Sequence, residues 1–184
     1  MEPFVILLII AATAAFFLMV IYNSLIKRRN GYKRAFAGID AQLKRRFDLI
    51  PNLVDSVSKF MNHEKEVLNE ITKLRTQSEG NVAAMSELDG KVTQALKGIM
   101  VAVENYPDLK SSQNFIQLQN SLSDIESNLS AARRNYNSAV TDYNNSIQIF
   151  PNNMIAGFLN FREADLFVIP NAERANVSVN KLFT

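Results

Sequence analysis

The chain opens on a stretch where apolar and polar positions do not alternate at all. From Phe4 to Tyr22, in FVILLIIAATAAFFLMVIY, no residue carries a formal charge. A helix rising about 1.5 Å per residue carries such a run across a hydrocarbon core about 30 Å thick. The pattern therefore predicts a transmembrane helix over 4–22, behind a short extension at 1–3, with Phe4, Leu7, Ile10, Phe16, Phe17, Val20 and Tyr22 among the membrane-spanning residues. A helix buried in a soluble core is the competing assignment, but over this length it ordinarily shows a polar face.

Past this run the pattern becomes periodic. Ile39, Arg46, Leu53, Phe60, Val67 and Leu74 recur every seven residues, and Leu43, Ile50, Val57, Glu64 and Ile71 form a second row four positions on. Two adjacent rows make one stripe facing partner helices. Arg46 and Glu64 interrupt it, so each must carry its charge to an edge or meet an opposite charge. Pro51 leaves two forms open. The unchanged phase on either side favours a kinked, nearly continuous helix, whereas helix lengths suited to a four-helix stack favour two helices and a tight corner.

Gln77-Ser-Glu-Gly-Asn81 is the first clear breaker, with Gly80 suited to a helix C-terminus. Val82, Met85, Leu88, Val92, Leu96, Ile99 and Val103 then mark a second amphipathic helix. Its Gly90 and Gly98 weaken it by about 1 kcal/mol each relative to Ala, and mark either a close helix approach or loose packing. Tyr106-Pro107-Asp108 ends it, and Ser111 or Ser112 is placed to cap a third long helix. In that helix Phe115, Leu122, Leu129, Tyr136, Tyr143 and Phe150 are spaced by seven, with Leu118, Ile125, Ala132, Ala139 and Ser146 three behind each. This is a seam of the kind two helices share, whose tyrosine hydroxyls need polar partners. Phe150-Pro151-Asn152-Asn153 stops the helix. A short apolar piece, Met154 to Phe161, precedes a loosely alternating tail at Val177, Val179 and Leu182, which predicts an extended segment.

The expected fold is all-α: an antiparallel up-and-down helical bundle of long amphipathic helices, preceded by one N-terminal transmembrane helix. The expected organisation is 1–3 extension, 4–22 span, 23–46 basic juxtamembrane segment, 47–150 bundle core, and 151–184 short helix and extended tail.

Charge sharpens the membrane reading. The net charge of +2 is uneven, with Lys27, Arg28, Arg29, Lys33, Arg34, Lys44, Arg45 and Arg46 facing only Asp40 in that stretch. Cations beside a span attract anionic headgroups by about 1 kcal/mol each, so Lys27, Arg28, Arg29, Lys33 and Arg34 are the candidate lipid-headgroup residues. Nucleic acid is the weaker partner, because the basic cluster belongs to the membrane end. The Met-Glu-Pro start lacks a basic region, the apolar run is long, and its small residues AATAA lie mid-run, all pointing to a retained anchor rather than a signal peptide. With the cations after the span, the N-terminus is expected outside and the bundle in the cytoplasm.

Candidate chemistry is sparse. The chain has no cysteine, which excludes disulfides, thiolate metal sites and a cysteine nucleophile. The single histidine, His63 in NHEKE, lacks the second histidine of a zinc helix, and Glu64 with Glu126 makes only a weak metal pair. No phosphate-cradling glycine loop and no nucleophile elbow occurs. No cofactor, no metal and no catalytic residue is expected, so the chain reads as a non-enzyme without an evident small-molecule substrate.

The blocks DAQLKRRFDLIPNLVDSV, FMNHEKEVL, VENYPDLKSSQNFIQLQNSL, AARRNYNSAVTDYNNSI and FPNNMIAGFLNF, in this order, resemble the LemA family over nearly the whole chain. Phe36 stands where that family often has Trp. The resemblance implies a helical bundle on a single-span anchor in the bacterial cytoplasmic (inner) membrane, N-terminus outside, with no established enzymatic activity. It draws attention to Arg45, Arg46, Asp48, Pro51 and Asn52 and to Tyr136, Asn137, Tyr143 and Asn144, as a polar network locking the bundle or as a partner-binding surface. Two functions are expected from these features. One is a scaffold or adaptor organising membrane or envelope proteins, as a homo-oligomer or with a membrane-protein partner. The other is a stress or lipid sensor reading anionic lipid through the basic segment.

Overall fold

Every regular element among the described residues is a helix. The computed structural model describes residues 2–58 and 82–168. They form α1 (Glu2–Ser58), α2 (Val82–Val103), α3 (Pro107–Lys110), α4 (Gln113–Gln148) and α5 (Asn152–Phe158). Helix α1 passes through Pro51 without interruption, so of the two forms left open there the continuous helix is the observed one. Phe60, His63, Glu64, Val67, Ile71, Leu74, the breaker at 77–81 and the tail at 177–182 lie outside the described residues, as does the Val57 side chain.

The chain divides into two compact units. In the first, from 2–40 and 130–166, Ile21 and Leu25 of α1 are buried with Tyr143 and Ile147 of α4 and Ala156 of α5, and Tyr32, Ile155, Phe161 and Ala164 pack against them. Ring pairs fix the direction. Tyr32 meets Tyr143 at 5.0 Å between centroids and Phe36 meets Tyr136 at 5.6 Å. Numbers rise along α1 as they fall along α4, so the two helices run antiparallel. Phe36 supplies one of the aromatic rings of this contact.

The second unit takes 41–58, 82–129 and 167–168 of the described residues. Its buried residues match the expected rows: Leu43, Ile50 and Leu53 on α1, and Met85, Leu88, Val92, Leu96, Ile99 and Val103 on α2. Pro107 occupies the first turn of α3, where a missing N–H is harmless. The Phe115 N–H donates to the Ser112 hydroxyl at 3.3 Å, so of the two serines Ser112 caps α4. Gly98 faces open space, which removes the close-approach reading for that glycine.

The α4 seam departs from a strict seven-residue repeat. Phe115, Leu118, Leu129, Tyr136 and Tyr143 are buried as expected. In the second half, however, burial reaches Arg133, Val140 and Ile147, one position past Ala132, Ala139 and Ser146, although Ser146 stays buried as well. A straight helix turns 3.6 residues per turn and drifts about 20° per heptad against a repeat of 3.5. Over five heptads the inward face moves by about one residue, leaving Ala132 and Ala139 half-buried. Phe150 is not part of the seam. The helix ends at Gln148 and Phe150 is 74 % exposed.

Candidate functional site

Three groups of residues carry the features that a function could use. The first is the N-terminal part of α1. The large side chains from Phe4 to Val20 are exposed. Among the described residues α1 is the one helix long and apolar enough to cross a membrane, and its most apolar stretch is almost wholly unburied. A core helix of the same composition would be covered. Lys27, Arg28, Arg29, Lys33 and Arg34 come on the next turns and are all exposed.

The second group, in the second unit, centres on Arg46. It occupies the apolar stripe of α1 at 5 % exposure. Its Nη1 donates to Asp89 Oδ1 on α2 at 2.9 Å, and its Nη2 lies 2.9 Å from Glu126 Oε2 on α4. Three helices are thereby joined by one planar guanidinium, whose fork can serve two carboxylates where an ammonium offers a single point charge. Asp89 is buried and Glu126 is on the rim. Of the two ways in which Arg46 could interrupt its stripe, the structure shows pairing. Asp89 was missed by sequence reasoning, although its position was informative. It falls within the stripe Met85, Leu88, Val92, where a carboxylate needs a partner.

The third group, in the first unit, fastens the segment after α5 onto α4. The Tyr136 hydroxyl donates to the Asp165 carbonyl at 2.8 Å and that of Tyr143 to the Arg162 carbonyl at 2.9 Å. Asn144 makes two bonds to one residue. Its Nδ2 donates to the Ala164 carbonyl and its Oδ1 accepts from the Ala164 N–H, each at 2.9 Å. Gln148 Nε2 donates to Glu163 Oε1 at 2.6 Å. Backbone outside helices and sheets must find partners for its polar groups, and here side chains along one helix face supply them. Burial, with smaller contributions from Tyr32 and Asp165, pushes the Tyr136 phenol up to about 12. Burial raises Tyr143 as well, with Tyr32 adding to the rise and Arg29 opposing it. In the second unit the Ser86 hydroxyl similarly donates to the Val168 carbonyl.

The remaining residues marked by the sequence are more open. Arg45, Asp48, Pro51 and Asn52 are exposed. Asn52 uses its carbonyl to accept the Ser56 hydroxyl and lines an open groove with Leu49, Asp55 and residues of α4. Asn137 is half-buried and its carbonyl accepts the Thr141 hydroxyl. Among the described residues no three His, Cys, Asp or Glu side chains gather as a metal site would require.

Comparison with known proteins bears on nearly the same stretch. The sequence model of the LemA family matches residues 35–180. Protein LemA of Metamycoplasma hominis is 30 % identical over 163 residues, covering 87 % of this chain and 74 % of that protein.

Proposed function

The chain belongs to the LemA family, and from that premise we propose that it is a membrane-anchored, non-enzymatic helical scaffold or adaptor. Its partners in this reading are lipid together with copies of itself or another membrane protein, in the bacterial cytoplasmic membrane with the bundle on the cytoplasmic side. The observation that carries the proposal is the double use of α1. One uninterrupted helix is a bare apolar rod over its first residues and a wall of packed helices from Ile21 onward. A helix used in both ways ties the folded part to the bilayer without a flexible linker, which suits a protein that holds others in place. Size measurement of the full chain in mild detergent tests the idea. A species larger than the monomer, or a stoichiometric membrane-protein companion, is expected; a bare monomer throughout sinks the scaffold.

The sensor reading is favoured by a different observation. The exposed cations Lys27, Arg28, Arg29, Lys33 and Arg34 lie on the same helix as buried Arg46, so a change at the lipid surface has a covalent path into the bundle. Replacing these five residues with Gln should abolish a response of bundle stability to anionic lipid. An unchanged response would leave only the scaffold.

A further inference from the structure

In the first unit the turn that joins α4 to α5 exposes side chains that water does not favour. Phe150 is 74 % exposed, Met154 69 % and Phe158 89 %, with Ile149 at 59 % beside them. Helix α5 is short and amphipathic in an unusual sense: Ile155 and Ala156 pack inward against α1 and α4, while Met154 and Phe158, four residues apart on the other face, are open. An exposed apolar patch on a folded protein marks a contact. The position along α1 identifies the occupant. Ile147 shares a core with Ile21 and Leu25, the residues at the exit of the apolar run, and the Phe161 ring lies 6.4 Å from that of Tyr22. Helix α4 runs antiparallel to α1 and ends at Gln148, and Ala156 of α5 returns to the same cluster as Ile21 and Leu25. The turn thus lies near the level of Tyr22 and Leu25, at the exit of the exposed apolar run.

We propose that the α4–α5 turn is a second membrane contact, in which Phe150, Met154 and Phe158 insert into the interfacial layer of the leaflet from which α1 emerges. This rests on the reading of α1 as a membrane anchor. The first unit is then held to the bilayer at two points, the span and a wedge beside it, which resists tilting of α1. The neighbouring polar groups suit that depth. Lys27, Arg28 and Arg29 are exposed just beyond, where headgroup phosphates lie, and aromatic rings with some polar company belong to the interface rather than the hydrocarbon centre.

The chain has no cysteine, so single labels report cleanly. Full-length protein carrying Phe150→Cys, Phe158→Cys, Phe17→Cys or Ser138→Cys, each labelled with an environment-sensitive fluorophore, would be reconstituted into phosphatidylcholine–phosphatidylglycerol vesicles. Quenching by aqueous iodide would be compared with quenching by lipids carrying a nitroxide near the headgroup or at the chain end. Labels at 150 and 158 should be blue-shifted, lose intensity to the shallow nitroxide and resist iodide. The label at 17 should answer to the deep nitroxide, and that at exposed Ser138 to iodide alone. If 150 and 158 behave as 138 does while 17 remains lipid-quenched, the wedge is wrong and the anchor stands. Protection of 150 and 158 from both iodide and lipid would show a protein neighbour there, a second copy included, and would equally overturn the wedge. A label at 17 that no lipid quenches removes the anchor, and the wedge with it.

Discussion

Arg46 concentrates the electrostatic risk of the second unit. Its charge is buried, and so is that of Asp89 2.9 Å away. Breaking such a pair from one side is far worse than never having it, because the remaining ion stays desolvated. Arg46→Met should lower unfolding stability by about 3–5 kcal/mol, whereas adding Asp89→Leu should recover most of that loss, leaving the part due to Glu126. Denaturant midpoints in one detergent would separate the two. Tyr136 makes the complementary case, a neutral group held neutral. Its folded value of about 12 exceeds the ordinary 10.0, so its contribution is complete below pH 10 and is lost as pH climbs through about 12. Tyr136→Phe should cost about 1 kcal/mol at neutral pH by removing the bond to Asp165. It should also flatten the alkaline loss across that window, leaving the part due to Tyr143. Unfolding curves against pH, with tyrosinate absorbance as the titration signal, give both readings. Neither role was legible residue by residue. The stripe told that Arg46 needed an opposite charge, and the seam told that the tyrosines needed acceptors. The acceptors themselves, Asp89 and the carbonyls of 162 and 165, lie dozens of residues away or on backbone that no side-chain pattern marks.

At the scale of elements, local pattern was the better guide. The apolar rows on α1 and α2 are the buried rows, Ser112 is the cap, and Pro151 stands beyond the end of α4. What the pattern misplaced on α4 it misplaced for a geometric reason. A seven-residue template extended over a straight helix selects Ala132, Ala139 and then Phe150, while the helix has rotated onto Arg133, Val140 and Ile147 and then stopped. At Pro51 the same template was right to keep its phase. A proline in a helix interior still costs about 3 kcal/mol relative to Ala, and part of that should be recoverable. Pro51→Ala is expected to raise the unfolding midpoint, since the site is exposed and the helix already continues through it. A fall would mean that the proline's own backbone geometry is needed for packing. Ser112→Ala should lower stability by about 1 kcal/mol through the lost cap, and replacement by Asp should restore it.

At the scale of the whole molecule, the proposed orientation rests on charge. Eight cations lie between Lys27 and Arg46, but Arg46 is held by Asp89 and Glu126. Of the rest, Lys27, Arg28, Arg29, Lys33 and Arg34 lie nearest the apolar run and are exposed. Positive charge within about 15–20 residues of a span holds that side in the cytoplasm, and acids contribute little to the choice. In intact cells, added protease should therefore spare a tag at the C-terminus and destroy it only after the membrane is opened. Replacing the five cations with Gln should convert this uniform protection into a mixture, because the bias that selects one insertion would be weakened while the apolar run that drives insertion is untouched. The exposed set and the buried Arg46 make different predictions here. Arg46→Met should loosen the second unit yet leave protection intact, so orientation and folding separate in the same assay. Digestion of the tag in intact cells expressing the unaltered chain would reverse the topology, and would place the exposed cations on the outer surface.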